Sequence, residues 1–306
     1  MILALGTVFP VFALILIGWA AGKRGILPAT AVDGLNGFVV KLALPVLMFQ
    51  FVAEADWRSL WHPHFVLALG GGMVLVFGAT LLLARRQGLG EASIEALAAA
   101  YPNTAFMGIP IAQALFGAAG LAAAVIASLL TVCALFALTI MLVEYELHRE
   151  RGLGHAALGV LRGLALNPLV FAPVLGGVWA LTGIALPVPL HDLASLLGRA
   201  ASPVALVTIG LFLAFTPAGG ATARVAPLVL LKLVVQPLVT LLLVWLLAVP
   251  QPWGTAAILL AALPTGTGPF MVAALYRRDA AVIARVILVS TLISAATVSA
   301  LVALTG

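Results

Sequence analysis

Long apolar runs, separated by short polar segments, occupy the sequence from one end to the other. A helix that spans a bilayer needs about 20 apolar residues, and reading the runs against that length gives about ten candidates. The pattern therefore predicts an all-α integral membrane protein with about ten transmembrane helices. The expected spans are Leu3–Ala21, Phe38–Val52, Phe65–Ala84, Ile94–Phe116, Ala122–Val143, Leu164–Leu186, Leu193–Phe215, Val225–Val249, Trp253–Tyr276 and Val282–Leu304.

Composition supports a membrane protein and excludes a soluble one. Of the 306 residues, 64% are hydrophobic and 8% are charged, and the mean hydropathy is +1.23, whereas a soluble domain carries about 25% charged residues. The net charge of +5 does not indicate a nucleic-acid partner, because the basic residues are scattered between apolar runs. Cys133 is the single cysteine, so no intramolecular disulfide can form.

Basic residues follow every other apolar run, and this asymmetry predicts the orientation in the membrane. Because positively charged connections stay in the cytoplasm, we expect the odd-numbered connections there and both termini outside; Arg58 is the exception. We expect the first run to be a helix and not a cleaved signal peptide, since no basic residue precedes it. The residues that carry the asymmetry are Lys23, Arg24, Arg85, Arg86, Arg149, Arg151, Arg162, Arg224, Arg277 and Arg278.

The two halves of the chain share several positions at a fixed shift of 158 residues. Each half holds five spans, an odd number, so the second half enters the membrane from the opposite side. This predicts two inverted five-helix repeats, as in secondary transporters, over 1–145 and 162–306, with a cytoplasmic linker over 146–161. Unrelated helices that share a proline–glycine habit are the alternative. The matching pairs are Pro10 with Pro168, Gly18 with Gly176, Gly25 with Gly183, Lys41 with Arg199, Pro45 with Pro203 and Val46 with Val204.

Spans four and nine each contain two prolines near their middle, Pro102 and Pro110 in one and Pro264 and Pro269 in the other. A proline removes a backbone donor and clashes with the preceding turn. Two prolines that enclose glycine and polar residues therefore predict a broken, unwound helix, and ordinary kinks are the alternative. Matching breaks in the two halves of a transporter indicate its transport site, where protein or a water-filled cavity satisfies the unwound backbone.

The direction of the half-helices predicts the charge of the substrate. Pro110 and Pro269 suit the first turn of a new helix, where a missing N–H costs nothing. Two helices that begin at mid-membrane each offer free N–H groups and about +0.5 charge, which favours an anion. A carboxylate is the expected ligand, with phosphate left open. The expected site residues are Asn103, Thr104, Gly108, Pro110, Thr265, Gly266, Thr267, Gly268 and Pro269.

Four basic residues within or near spans are candidates for charge support of the anion: Lys41, Arg199, Lys232 and Arg285. The alternative is that their charged heads snorkel to the membrane surface. No acidic residue lies near the middle of a span, so a carboxylate proton relay has no candidate. Coupling to a proton stays open, as does coupling to sodium through backbone carbonyls at the breaks. No cofactor is expected.

Other functional classes fit the sequence less well. An intramembrane enzyme needs a nucleophile and base, or metal ligands, at membrane depth, but the five histidines all fall in predicted loops and no catalytic or metal motif is present. A channel needs a filter or a charged ring, and the sequence shows neither. A non-transporting receptor or scaffold is the remaining alternative, although it gains nothing from unwound backbone at mid-membrane.

The stretch Asn103–Pro110, with its N-x-x-x-M-G-x-P pattern, resembles the auxin efflux carrier family, which includes bacterial malonate-type carriers and plant PIN-FORMED transporters. Leu44–Pro45, Lys232–Pro237 and Ala262–Phe270 resemble it too, and the resemblance covers essentially the whole chain. It implies a scaffold domain and a transport domain with crossed, broken helices four and nine, the fold of bile acid:sodium symporters. It also implies homodimers that carry a small organic anion across the cytoplasmic membrane. Residues 68–74 lack the acidic–basic pair of plant auxin carriers, which argues against auxin.

Overall fold

The structure of the protein, a computed structural model, describes residues 2–54, 62–147, 167–216 and 222–305. Within these ranges the chain is helical apart from short turns, and its β-structure is one isolated bridge. The prediction of an all-α protein is therefore confirmed for the described residues. Most of the predicted linker over 146–161 lies outside them, as do Arg58, Arg149, Arg151 and Arg162.

Twelve helices are numbered here in chain order. The stretch from Thr104 to Leu147 counts as two of them, because Gly117 interrupts it with a φ of 59°. The helices are α1 Ile2–Lys23, α2 Ala31–Glu54, α3 Pro63–Ala84, α4 Leu89–Ala100, α5 104–116, α6 118–147, α7 Pro168–Leu181, α8 Val188–Phe215, α9 222–246, α10 Trp253–Ala262, α11 Gly268–Leu275 and α12 Ala280–Thr305.

Six helical segments in the described residues are long and apolar enough to cross a membrane, and three shorter apolar helices accompany them. A multi-pass membrane protein is thus confirmed, while the number of ten crossings stays a prediction. The six segments are Ala31–Glu54, Pro63–Gln87, Thr104–Leu147, Val188–Phe215, Ala223–Leu246 and Ala280–Leu304; the shorter helices are Phe9–Lys23, Pro168–Leu181 and Trp253–Ala262.

In each of two helix pairs, the two helices pack closely at a glycine. α1 lies along α8, where a Cβ added at Gly18 would fall on the carbonyl oxygen of Val207. α7 lies along α2, where a Cβ added at Gly176 would fall 2.5 Å from the carbonyl oxygen of Phe49. Small residues let helix backbones approach this closely in membranes. Gly18 and Gly176 are 158 residues apart in the sequence, and so are Phe49 and Val207, the residues that they contact.

α4 and α10 lie at the centre of a further group of helices, which also contains α3, α6, α9, α11 and α12. The residues Ala96–Ala100 at the end of α4 are fully buried, and Leu259–Ala262 at the end of α10 are almost as inaccessible. α3, α6, α9 and α11 pack around α4, and α3, α9 and α12 pack around α10. The alanines at both helix ends let these neighbours come close to the backbone.

Charged side chains from separate connections meet at one end of the helices. Arg224, at the start of α9, donates to Glu95 of α4 at 2.7 Å and to Asp279, between α11 and α12, at 3.3 Å. Arg278 pairs with Glu146, near the end of α6, at 3.4 Å. The connections after predicted spans three, five, seven and nine therefore share one end, as their basic character predicts.

Aromatic and polar contacts join even-numbered connections at the opposite end. His62, just before α3, stacks on Trp253 at the start of α10, with ring centroids 3.7 Å apart. His191, in the first turn of α8, lies 3.8 Å from Glu54 at the end of α2. The contacts therefore group the odd-numbered connections at one end and even-numbered connections at the other, as the basic residues predict. Which end faces the cytoplasm stays a prediction.

Candidate functional site

The two predicted breaks cross and hydrogen-bond to each other. The Asn103 N–H donates to the Pro264 carbonyl at 2.9 Å, and the Gly266 N–H donates to the Tyr101 carbonyl at 3.0 Å. These bonds form an antiparallel bridge between Pro102 and Thr265. The unwound segments, residues 101–103 and 263–267, are called the crossing below. Helix breaks in both spans are thus confirmed, and ordinary kinks do not describe them.

Side chains satisfy the carbonyl groups at the ends of both half-helices. Gln236 Nε2 donates to the Ala100 carbonyl at 3.0 Å, and Lys232 Nζ donates to the Ala261 carbonyl at 2.7 Å. Thr265 Oγ1 donates to the Ala98 carbonyl at 2.8 Å. Unwound backbone needs such partners at membrane depth. Thr265, expected to bind substrate, therefore uses its hydroxyl to hold α4 in place.

The first break is shorter than predicted. The sequence predicted unwound backbone from Pro102 to Pro110, but the chain is helical again from Thr104, where α5 opens with a π-helical turn over Thr104–Gly108. A wider turn shifts the hydrogen-bond register, so the helix continues without the N–H that Pro110 lacks. Pro110 lies in the first turn of the α-helical part that begins at Ile109, and Pro269 lies in the first turn of α11, which begins at Gly268, as predicted for both.

Asn103 forms a tight turn that sets the entry into α5. Its φ of −76° and ψ of 60° are those of an inverse γ-turn, and the Thr104 N–H donates to the Pro102 carbonyl at 2.8 Å. The Asn103 side chain is 5% exposed and lines a cavity. Within the described residues, its amide makes no side-chain hydrogen bond. The amide is therefore available to a ligand.

A cavity of about 80 Å³, called the crossing cavity, lies between the crossing and helices α2, α6 and α7. About 10–15 Å³ by this measure holds one water, so a small polar solute fits. The first turns of α5 and α11 contribute Thr104, Ala105 and Gly268 to its wall, and helix N-termini carry free N–H groups. Its polar lining residues are Tyr101, Asn103, Thr104, Ser128, Thr131, Asn167 and Thr267.

A chain of hydroxyl groups runs along one wall of this cavity. Ser128 Oγ donates to Thr104 Oγ1 at 3.1 Å, and Thr131 Oγ1 donates to the Ser128 carbonyl at 2.8 Å. The Tyr101 and Thr131 side chains line the same cavity. These neutral groups can stabilise an anion or water without adding charge. Tyr101, Ser128, Thr131 and Asn167 were not predicted, although Ser128 and Thr131 are polar residues one turn apart in an apolar run.

Two glycines in or next to the crossing, Gly266 and Gly268, leave room for the Tyr101 ring. A Cβ added at Gly266 would lie 3.0 Å from the Tyr101 ring, and one added at Gly268 would lie 2.8 Å from it. At Gly108 the obstacles are different, since an added Cβ would meet the Leu260 and Leu263 side chains. Gly108 and Gly266, both expected in the site, thus serve close packing and do not line the crossing cavity.

None of the four basic candidates lines the crossing cavity. Lys232 is fully buried and donates to the Ala261 carbonyl near the end of α10, so the snorkelling alternative does not describe it. Lys41 is exposed in α2, and Arg285 is half-buried in α12. Arg199 lines a second cavity of about 480 Å³ between α2, α5 and α8, called the Arg199 cavity, together with Pro110, Gln50, Gln113, Ser195 and Ser202.

Comparison with known proteins identifies the family. The family model described as "Membrane transport protein", the family of the auxin efflux carriers, matches residues 3–302. The chain belongs to this family. A relative from Rhizobium meliloti (strain 1021), named "Putative malonate transporter", is 31% identical over 300 residues, 97% of this chain and 94% of its own.

Two further relatives are more distant. "Uncharacterized transporter YfdV" of Escherichia coli (strain K12) is 28% identical over 251 residues, 78% of this chain and 77% of its own. "Auxin efflux carrier component 8" of Arabidopsis thaliana is 25% identical over 317 aligned residues, 85% of this chain and 86% of its own. The resemblance drawn from the crossing residues is therefore confirmed, and the chain is a membrane transporter by family.

Proposed function

We propose that the protein is a secondary transporter that moves a small organic anion, a carboxylate, by alternating access. One observation carries the proposal: the first turns of α5 and α11 line the crossing cavity beside the Asn103 amide, which makes no side-chain hydrogen bond to another described residue. Two helix N-termini and a neutral donor favour an anion, and none of the described residues that line the cavity is acidic. Thr104, Thr267 and Gly268 are the other predicted site residues that line it.

The size of the crossing cavity and the name of one relative point to the substrate class. A volume of about 80 Å³ suits a solute of a few non-hydrogen atoms. The Rhizobium meliloti relative is named for malonate, a three-carbon dicarboxylate. We infer a short mono- or dicarboxylate as substrate, with one carboxylate at Asn103 and the helix N-termini.

Two inverted five-helix repeats form the architecture that we propose for alternating access. The equivalent glycine contacts of α1 with α8 and α7 with α2, at a common shift of 158 residues, support it. These four helices would be the scaffold and the remaining helices the moving part. The crossing cavity has walls from both groups, with Met48 and Asn167 on one side and Asn103 and Gly268 on the other. Relative movement of the groups would open it to either side.

We infer the membrane, the orientation and the assembly of the transporter from its charge pattern and its family. The basic odd-numbered connections would lie in the cytoplasm and both termini outside, in the cytoplasmic (inner) membrane. The lipid bilayer would cover the apolar outer side chains of α7 and α9, such as Leu181 and Trp245, which are 80% and 74% exposed. A homodimer is the assembly that the family resemblance implies.

Uptake of labelled short carboxylates into proteoliposomes tests the proposal. Asn103→Ala is expected to lower kcat/KM for the transported acid about tenfold or more, because a hydrogen bond to a charged group contributes about 1.5–3 kcal/mol. The variant should elute and melt like the wild type, since the side chain bonds to no other described residue.

Asn36→Ala is the matched control, because Asn36 lies in α2 and lines neither the crossing cavity nor the Arg199 cavity. It should transport within about twofold of the wild type. Wild-type uptake by Asn103→Ala would remove Asn103 from the site. Absence of uptake of every carboxylate by the wild type would overturn the proposed function itself.

The Arg199 cavity gives a further prediction about substrate capture. Arg199 has no ion-pair partner among the described residues, and Ile109 and Pro110 of α5, the helix that follows the crossing, line its cavity. If this cavity is the approach from one side, Arg199→Gln should raise KM several-fold with little change in kcat, because exposed positive charge acts mainly on capture. Arg199→Lys should retain most of the affinity. An unchanged KM in Arg199→Gln, measured with external substrate over a range of salt, would exclude this route.

A further inference from the structure

An apolar groove of about 720 Å³, called the Cys133 groove, lies between α7, α6 and the end of α2. Its walls are formed by Phe51 of α2 and its neighbour, and by side chains within 125–133 of α6 and 170–181 of α7. The Cys133 thiol is the most polar group of these walls, and Leu181 at one end of the groove is 80% exposed. An apolar cavity offers water no hydrogen bonds and stays dry. In a membrane, an apolar group therefore fills this groove.

A smaller groove lies at positions that a fixed shift in the sequence relates to the Cys133 groove. It has a volume of about 380 Å³ and lies between α1, α8 and α12. Its α1 residues correspond to α7 residues of the Cys133 groove at the shift of 158, and three of its α12 residues correspond to α6 residues at a shift of 162. The two grooves are therefore equivalent places in the fold. Examples of the matching pairs are Phe12 with Val170, Ile15 with Pro173 and Ile126 with Leu288.

One pair of equivalent positions differs greatly in size and indicates what the larger groove accommodates. Where α7 has Gly177, α1 has Trp19, and the indole ring of Trp19 lines the smaller groove. The protein thus provides an apolar ring of its own in one groove and leaves the equivalent space open in the other. Atoms that line an unfilled space lose their dispersion contacts. An apolar ligand that takes the place of such a ring therefore complements the Cys133 groove.

The length of the Cys133 groove identifies the kind of apolar ligand. Its α7 wall extends from Val170 to Leu181, about 16 Å along the helix axis. The hydrocarbon core of a bilayer is about 30 Å thick, so this wall covers about one leaflet. Leu181 ends α7 and Phe51 lies in the last turn of α2, so the groove lies toward the even-numbered connections. We propose that the Cys133 groove binds one acyl chain of a phospholipid from the leaflet at that end.

The bound chain contacts both groups of helices that the transport proposal separates. α2 and α7 belong to the proposed scaffold, whereas α6 belongs to the group that packs around α4. A flexible chain can follow a relative movement of these walls, whereas a side chain fixed to one helix cannot. The acyl-chain site does not depend on which solute is transported, so its test and the uptake test can fail separately.

Photocrosslinking of the wild type is the first test. The probe is a phosphatidylethanolamine with a diazirine in the middle of one acyl chain, added in trace amounts to proteoliposomes of phosphatidylethanolamine and phosphatidylglycerol. Mass spectrometry of peptides maps the adducts. We expect about fivefold more adducts on 125–133 and 170–181 than around Trp245 of α9, which is 74% exposed, because a groove contacts the chain on several sides. Equal labelling of both places overturns the proposal. Labelling of the groove below that of α9 also overturns it and indicates that a second copy covers the groove.

Two tryptophan variants give a matched comparison. Cys133→Trp places a ring in the groove, as Trp19 does in the smaller one, and the adducts on 170–181 should fall about fivefold because the ring takes the space of the chain. Ala134→Trp is the control, since Ala134 is exposed in the same turn of α6 and does not line the groove. Its adducts should stay within about twofold of the wild type. Unchanged labelling of the groove in folded Cys133→Trp overturns the proposal; if that variant does not fold, the adduct map of the wild type decides.

Discussion

Replacing Gly210 by leucine is expected to prevent the protein from folding stably, because this glycine of α8 lies against the backbone of α1. A Cβ added there would fall on the Ile15 carbonyl oxygen and lie 2.7 Å from the Trp19 nitrogen. Overpacking costs about 1–3 kcal/mol where side chains can give way, and here the obstacle is backbone. We expect an apparent Tm about 10 °C or more below that of the wild type in detergent, with little monodisperse protein.

Two variants separate this clash from a general intolerance of leucine. Gly18→Leu should have a similar effect, because Gly18 makes the reciprocal contact with Val207. Gly78→Leu is the control, since a Cβ at Gly78 of α3 meets no atom of the described residues within 4 Å. It should melt within about 2 °C of the wild type. A Gly210→Leu protein that melts like Gly78→Leu would show that α1 and α8 do not approach so closely.

The breaks could be predicted because proline acts locally. Pro102 and Pro264 end their half-helices whatever packs around them, so their effect can be predicted from the sequence alone. The extent of the first break could not be predicted. The π-helical turn over Thr104–Gly108 accommodates Pro110, and such a turn depends on what surrounds it. The contacts of Gly18 and Gly176 agree with the 158-residue shift for a similar reason, since small residues at a fixed spacing indicate a close approach of helices.

The roles of polar residues near the breaks were harder to predict. Thr265 and Thr267 are similar in sequence, yet Thr265 Oγ1 is bonded to the Ala98 carbonyl and Thr267 lines the crossing cavity. Ser128 and Thr131 gave little signal, because a hydroxyl in an apolar helix often bonds to its own backbone, and both side chains do so. Their position beside Thr104 depends on the packing of α6 against the crossing.

Lys232 shows why distance from a predicted membrane surface is a weak guide. Lys232 is few enough residues from the charged end of its predicted span for its ammonium group to reach the membrane surface. The structure instead provides a bond acceptor in the interior, the Ala261 carbonyl, which is free only because α10 ends one residue later. An acceptor created by a break in another helix cannot be inferred from the residues around Lys232.

Replacing Gly266 by leucine is expected to abolish transport and lower stability, since this residue lies where the two breaks pair. Its N–H donates to the Tyr101 carbonyl, and an added Cβ would lie 3.0 Å from the Tyr101 ring and 3.3 Å from the Asn103 Cα. A leucine must displace one of these neighbours. Either movement changes the cavity wall beside the Asn103 amide. Uptake should fall at least a hundredfold, a loss of about 2.7 kcal/mol in transition-state stabilisation.

A double substitution identifies which neighbour resists the new side chain. If the Tyr101 ring is the main obstacle, Tyr101→Ala should recover part of the apparent Tm lost in Gly266→Leu, and the two changes will not be additive. If the backbone at Asn103 is the obstacle, the losses will add. Gly34→Leu controls for leucine itself, because a Cβ added at Gly34 in α2 has no neighbour within 4 Å in the described part of the chain. Wild-type uptake by Gly266→Leu would mean that the two breaks do not pair as the backbone bonds describe, and that the anion binds elsewhere.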